Sequence, residues 1–133
     1  NEKEHCFSLE GRFYGSYNAS KRVIAICQEN ATEWNGEVIE FSEEDLDTLR
    51  HEAQHLVQDC LDGEIDGRMT PMFTGDARAT FLSNFSDSKE QRVRHTYADA
   101  SEALITLEIE AFAVADTVPA ASISNALRRI CVQ

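Results

Sequence analysis

The sequence lacks long uncharged apolar runs, closely spaced cysteines and an excess of basic residues, and each absence excludes a class of protein. The most apolar stretch, ALITLEIEAFAVA at 103–115, contains two glutamates, so no helix is expected to span a bilayer. No Cys-x-x-Cys pair is present, which argues against a cysteine-based zinc site. With 12 Lys and Arg against 24 Asp and Glu, the net charge is -12, which repels anionic surfaces. We therefore expect neither a nucleic-acid partner nor a membrane partner.

The composition is otherwise that of an ordinary globular protein. Hydrophobic residues make up 42% and charged residues 27% of the 133 residues, which is enough for one domain with a buried core. The sequence contains no internal repeat, low-complexity tract or linker. We therefore predict a single domain over 1–133.

Four widely spaced cysteines leave the redox compartment open: Cys6, Cys27, Cys60 and Cys131. Two disulfides would suit an exported protein, whereas four buried thiols would suit a cytoplasmic one. The chain begins without Met, which favours export because a leading segment is then expected to have been removed. The cytoplasm is the alternative location.

Three segments near the start of the chain have the composition of β-strands. They are CFSLEGRFYGSY at 6–17, KRVIAICQE at 21–29 and GEVIEFS at 36–42. Each contains aromatic or β-branched residues, and Asn, Ser and Gly between them supply turns. We expect these segments to form a small, largely antiparallel sheet.

The segment after the strands is predicted to be a helix from 43 to 62. Ser42 followed by Asp45 resembles a capping box, and Gly63 is a natural C-terminal cap. Apolar residues at three- and four-residue steps predict one buried stripe: Leu46, Leu49, Ala53, Leu56, Val57 and Cys60.

Three further helices are expected downstream. A short helix is predicted around 77–84, a long one over 88–117 that stops before Pro119, and a last short one capped near Ser122. The predicted fold class is therefore α+β, with the small sheet packed on a helical core.

The first predicted helix contains the sequence HEAQH, in which His51, Glu52 and His55 have HExxH spacing. Residues four apart lie on one helical face, so the two histidines can direct ring nitrogens at one metal ion. Glu52 lies about 100° further round, where a carboxylate can hold and deprotonate a zinc-activated water. The alternative is that the histidines form the polar flank of an ordinary amphipathic helix. The position of Glu52 and the capping of the helix favour a site for Zn²⁺.

A third protein ligand has to come from another part of the chain. The candidates are His5, His95 and the acidic residues of the predicted helix 88–117. Glu108 shares a face with apolar residues, where an unpaired carboxylate is costly to bury, so it is the favoured ligand. Glu110 lies about 200° away and is expected to face solvent. The alternative for Glu108 is a partnership with an arginine.

A hydrolase of this kind also needs a group that stabilises the oxyanion formed during the reaction. The segment RHTY at 94–97 precedes the favoured glutamate and supplies two catalytic candidates, His95 and Tyr97. Packing is the alternative role for both side chains.

The HEAQH sequence and the later EIEA at 108–111 resemble the gluzincin class of zinc metallopeptidases, in which two histidines of one helix and a glutamate of a later helix hold the metal. The second motif is also similar to the Glu-x-x-Ala-x-x-Phe-Ala pattern of ImmA/IrrE-type peptidases, although here Phe and Ala follow at once. Phe112 stands where many gluzincins have an aspartate, and the metzincin extension is absent, since residue 61 is Leu.

The resemblance covers two helices and implies a minimal zincin-like domain. It implies that His51, His55 and Glu108 bind Zn²⁺. It also implies that Glu52 is the general base in the hydrolysis of a protein or peptide substrate. The competing hypothesis is a catalytically inactive zincin-like domain that binds metal or protein partners, and a metal-free helical interaction module is a further alternative.

Overall fold

The computed structural model of the protein describes residues 7–8, 11–12, 15–27 and 42–131. These residues form an α+β arrangement of short antiparallel strands followed by five helices, which confirms the predicted class. None of these helices is both long and apolar enough to cross a membrane. The strands are β1 (Phe7–Ser8), β2 (Gly11–Arg12), β3 (Gly15–Asn18) and β4 (Val23–Ile26). The helices are α1 (Glu43–Cys60), α2 (Gly75–Leu82), α3 (Asp87–Thr96), α4 (Glu102–Thr117) and α5 (Ala120–Ile130).

The described strands form two antiparallel pairs. β1 pairs with β2, and β3 pairs with β4 in a register that sets Gly15 opposite Ile26. The predicted single strand at 6–17 is therefore wrong, because two segments that pair antiparallel to each other cannot belong to one straight strand. Of the predicted strand at 36–42, residues 36–41 lie outside the described part of the chain.

Helix α1 begins and ends close to the predicted residues. The Ser42 hydroxyl accepts a hydrogen bond from the Asp45 N–H at 3.1 Å, and the Asp45 carboxylate accepts one from the Ser42 N–H at 2.9 Å. The predicted capping box is therefore confirmed. The helix ends at Cys60, and Gly63 follows in a left-handed conformation (φ 93°), with its N–H donating to the Cys60 carbonyl at 2.9 Å.

The helix predicted over 88–117 is divided into α3 and α4. α3 ends at Thr96, and the Ser101 hydroxyl caps α4 by accepting a hydrogen bond from the Leu104 N–H at 3.2 Å. The prediction of one helix was wrong because the Ser101 side chain offers an acceptor to the backbone, which favours a new helix start over a continuing helix. The break lets α3 fold back and pack against α4.

Helix α1 lies at the centre of the fold. It packs against α4, α5, β3 and β4. Near its middle, Ala53 joins an apolar cluster with Val114 of α4 and Ile123 of α5. A second cluster joins α3 to α4: Phe85, Val93, Ile105, Ile109 and Ala113. The two clusters fix α4 between α1 and α3.

The apolar stripe predicted for α1 is only partly buried. Ala53, Val57 and Cys60 are buried, but Leu46 and Leu49 are 38% and 36% exposed. The helix instead buries much of its polar face: Asp45, His51, Glu52, Gln54, His55, Gln58 and Asp59. An amphipathic pattern identifies the buried face of a helix only when its opposite face is exposed to water. Helix α1 has neighbours on more than one side, so its polar face is buried too. Buried polar groups need hydrogen-bond partners, opposite charges or a metal ion. We therefore expect a functional site on this face.

A disulfide links Cys60, the last residue of α1, to Cys131, which directly follows α5, with 5.2 Å between their Cα atoms. Cys27 is also disulfide-bonded. The sequence left open whether the cysteines form disulfides or remain as thiols. The cysteines in the described part of the chain form disulfides.

Candidate metal centre

Two side chains of α1 and one of α4 meet inside the protein: His51, His55 and Glu108, here called the His-His-Glu group. His51 Nε2 lies 3.1 Å from Glu108 Oε2, and His55 Nε2 lies 3.2 Å from Glu108 Oε1. The two Nε2 atoms are 3.1 Å apart. All three side chains are buried, and their nitrogen and oxygen atoms form a compact cluster.

The size of this cluster suits one small metal ion. Zinc binds imidazole nitrogen and carboxylate oxygen at about 2.0–2.2 Å, and tetrahedral geometry then sets the ligand atoms roughly 3.3–3.6 Å apart. The separations of 3.1 Å and 3.2 Å are close to that range. The three side chains therefore have the spacing, as well as the chemistry, of zinc ligands.

Two atoms of the His-His-Glu group have no hydrogen-bond partner within the described part of the protein: His51 Nδ1 and Glu108 Oε2. Glu108 Oε2 approaches His51 Nε2 at 3.1 Å, but not in the direction of a hydrogen bond. A buried acceptor without a partner costs about 1–3 kcal/mol, and more when it is charged. A bound cation would offset that cost at Glu108, so the buried atoms fit a metal site.

The surroundings keep Glu108 negatively charged. Burial alone would raise the pKa of Glu108, but the adjacent His51 and His55 outweigh burial and lower the pKa to about 2. Burial alone would lower the pKa of His55, but the hydrogen bond with Glu108 and the charge of Glu108 outweigh burial and raise that pKa. The Glu108 carboxylate is therefore ionised at neutral pH and attractive to a cation.

Glu52 follows His51 on α1 and is buried beside the same group. Its negative charge contributes to the raised pKa values of His55 and Tyr97, so its carboxylate lies near both side chains. Its methylene stem faces β3, because a Cβ added to Gly15 would lie 3.5 Å from Glu52 Cγ. Glu52 is thus held between the first strand of the β3–β4 pair and the His-His-Glu group.

The structure brings Tyr97 to the group and leaves His95 apart from it. Tyr97 is partly buried just after α3, and its pKa is raised to about 12 by burial and by the charges of Glu108 and Glu52. The hydroxyl is therefore protonated at neutral pH and can donate a hydrogen bond. His95 is exposed in the last turn of α3, and His5 lies outside the described residues.

Glu110 does not face solvent as predicted, because it is fully buried. Its carboxylate accepts hydrogen bonds from Gln58 Nε2 at 2.6 Å, from Gln54 Nε2 at 3.2 Å and from the Phe73 N–H at 2.8 Å. Both carboxylate oxygens are therefore already occupied by donors. Of the two glutamates considered as third ligand, Glu108 is the one whose oxygens face the histidines.

The prediction for Glu110 failed because α4 is covered on more than one side. On a helical projection, Glu108 and Glu110 lie about 60° and about 100° on opposite sides of Ala111. Ala111 is fully buried, and its small side chain allows α4 to approach α1 closely. Both glutamates can then reach α1, one towards its histidines and the other towards its glutamines.

Sequence reasoning missed Gln54 and Gln58. These glutamines are four residues apart, as are His51 and His55, and all four side chains share one face of α1. The sequence therefore did contain a sign of these two residues, since polar side chains recur along α1 at three- and four-residue steps. A solvent-exposed helical face shows the same pattern, so only contacts with α4 distinguish the two cases.

Phe112 packs against the ring of His51, with 4.2 Å between ring centroids and an angle of 60° between the rings. The resemblance to gluzincins led us to compare this position with an aspartate. A phenyl ring offers no carboxylate to His51 Nδ1, which agrees with the lack of a hydrogen-bond partner for that atom among the described residues. His51 is therefore oriented by packing.

Asp59 is a further buried residue that sequence reasoning missed. It accepts hydrogen bonds from the Tyr17 hydroxyl at 2.7 Å and from the N–H groups of Asp66 and Gly67 at 3.1 Å and 3.0 Å. Burial and the nearby Asp59 raise the pKa of Tyr17. Asp59 also lies near Asp62 and Asp66, but its oxygens hold β3 and the loop after α1, which is a structural role.

Gly15 allows β3 to lie close to α1. A Cβ at this position would be 2.6 Å from Thr48 Cγ2 and 2.9 Å from the Ala25 carbonyl oxygen, so one of them has to move. We expect Gly15→Ala to lower the free energy of unfolding by about 1–3 kcal/mol, as other overpacking substitutions do. Urea denaturation measures the change, with Ser16→Ala as the control in the same strand. Equal stability of Gly15→Ala and the wild type would contradict this close approach.

Comparison with known proteins places the chain in a family. A model of the family described as "Domain of unknown function (DUF8637)" matches residues 1–132, so the chain belongs to that family. No curated protein and no solved structure matches the chain. The family description names no activity, so the function has to be argued from the site.

Proposed function

We propose that the protein is a zinc-dependent peptidase with a zincin-like domain. In this proposal His51, His55 and Glu108 hold the ion, and Glu52 is the general base. The observation that carries it is the mutual approach, at 3.1–3.2 Å, of nitrogen and oxygen atoms from three buried side chains on two helices. The substrate is a protein or a peptide, as the resemblance to gluzincins implies.

The set of ligands favours zinc in a catalytic site. Two imidazoles and one carboxylate suit zinc better than magnesium or calcium, which prefer oxygen ligands. Structural zinc sites use four protein ligands, whereas catalytic ones use three and keep a fourth position for water or substrate. The His-His-Glu group contains three.

Glu52 and Tyr97, which are not zinc ligands, each have a defined role in the proposed reaction. Zinc, when bound, supplies Lewis acidity that polarises the scissile carbonyl and lowers the pKa of water. Glu52 accepts a proton from the attacking water and returns it to the leaving amine. The protonated hydroxyl of Tyr97 donates a hydrogen bond to the developing oxyanion.

The position of Glu52 supports catalysis over a purely structural site. Glu52 is not one of the three proposed ligands, but its carboxylate lies near His55 and Tyr97, where a structural zinc site has no use for it. General-base catalysis gives that carboxylate a task. The inactive zincin-like domain would retain the same ligands and lack turnover.

The metal content of the purified protein tests the zinc proposal. We expect wild-type protein prepared without chelator to contain about one zinc ion per chain. Glu108→Ala should weaken zinc binding by more than about 100-fold, because it removes a ligand rather than an outer contact. Glu102→Ala, which removes an exposed carboxylate of the same helix, is the control. Zinc-free wild-type protein, or full zinc content in Glu108→Ala, would overturn the ligand assignment.

A further inference from the structure

We propose that Gln58 is a positioning residue that fixes which ring nitrogen of His55 carries the hydrogen atom. His55 Nδ1 and Gln58 Oε1 are 2.8 Å apart inside the protein. If the glutamine oxygen accepts this hydrogen bond, Nδ1 carries a hydrogen atom, and in the neutral ring Nε2 then keeps its lone pair. Nε2 is the nitrogen that faces His51 and Glu108, so this inference rests on the zinc site proposed above.

The orientation of the Gln58 amide follows from its other contacts. Gln58 Nε2 donates to Glu110 Oε2 at 2.6 Å and to the Leu107 carbonyl at 3.1 Å. Both partners are acceptors only, so a flipped amide would set its oxygen against two other oxygens and lose both hydrogen bonds. The amide oxygen must then point at His55, and only a protonated Nδ1 satisfies it.

Glu110 holds Gln58 in this orientation. The carboxylate is fully buried, and its other acceptor contacts, with Gln54 Nε2 and the Phe73 N–H, tie it to α1 and to the segment before α2. The result is a chain of hydrogen bonds from Glu110 through Gln58 to His55. Metal-binding histidines are commonly oriented through the ring nitrogen that does not bind the metal, which is the part that Gln58 plays here.

The two histidines are therefore oriented by different means. Phe112 packs on His51, whose Nδ1 has no hydrogen-bond partner in the described part of the chain. His55 alone is connected to the hydrogen bonds of Gln58. A change at Gln58 should consequently affect one ligand and spare the other.

Two matched variants separate this role from general packing. Gln58→Met and Gln54→Met each remove one hydrogen bond to Glu110 Oε2, but only Gln58 also contacts His55. We expect Gln58→Met to weaken zinc binding by about 10–100-fold in competition with a chelator, and Gln54→Met to stay near wild type. Equal weakening in both variants would overturn the positioning role.

The ring itself provides a readout that needs neither zinc nor activity. Imidazole ¹⁵N chemical shifts of metal-free wild-type protein, at an alkaline pH where the ring is neutral, should show His55 protonated at Nδ1. Gln58→Met should lose that preference. A wild-type ring protonated at Nε2 would overturn the inference even if Gln58→Met fails to fold. If the wild type binds no zinc, the zinc proposal fails. The ¹⁵N shifts still decide which ring nitrogen of His55 carries the hydrogen atom.

Discussion

Glu52→Gln is expected to keep its zinc and to lose peptide hydrolysis by about 10²–10⁴-fold in kcat, which is the usual contribution of a general base. Glutamine has nearly the same shape and can still fill the space between β3 and the His-His-Glu group. It cannot accept a proton from water at neutral pH. The substitution therefore removes proton transfer and leaves the ligands in place.

The measurement combines zinc content with cleavage of a broad panel of unfolded protein substrates. Glu43→Gln is the matched control, because Glu43 is an exposed glutamate in the first turn of the same helix. Its activity should equal that of the wild type. If the wild type and Glu52→Gln are equally inert while both hold zinc, the peptidase proposal fails and the inactive zincin-like domain replaces it.

Glu110→Ala is expected to lower the free energy of unfolding by about 3–6 kcal/mol, because three donors each lose one hydrogen bond to the carboxylate at about 1–2 kcal/mol per bond. The donors are Gln54 Nε2, Gln58 Nε2 and the Phe73 N–H. Since small proteins are stable by only about 5–15 kcal/mol, a loss of this size is a large part of the total.

Chemical denaturation followed by circular dichroism measures this loss on metal-free protein. Glu102→Ala is again the control, because its exposed side chain lies in the first turn of the same helix. A loss below about 1 kcal/mol would mean that the three donors find other acceptors or water. Loss of zinc from folded Glu110→Ala together with retention in Glu108→Ala would exchange the roles of the two glutamates.

The local features of α1 could be predicted because they depend on neighbours in the sequence. The capping box of Ser42 and Asp45 closes within one helical turn, and the prediction is confirmed. The four-residue spacing of His51 and His55 brings their rings onto one face in any α-helix. The break between α3 and α4 is also local, since Ser101 caps α4, and a stricter reading of that serine would have found it.

The burial of α1 and α4 could not be predicted in the same way. Amphipathic patterns identified Leu46 and Leu49 as buried and Glu110 as exposed, and the structure reverses all three. A pattern distinguishes apolar from polar faces, but it does not say how many sides of a helix are covered. That number depends on neighbours far along the chain.

By itself, the sequence determined the α+β class, the start of α1 and the spacing of His51, Glu52 and His55, because each depends on local hydrogen bonding, propensity or helical geometry. Only the tertiary structure decided that Glu108 meets the histidines while Glu110 binds the glutamines. The physical reason is that α4 packs against α1 over long range, and that packing sets which carboxylate oxygens face which side chains of α1.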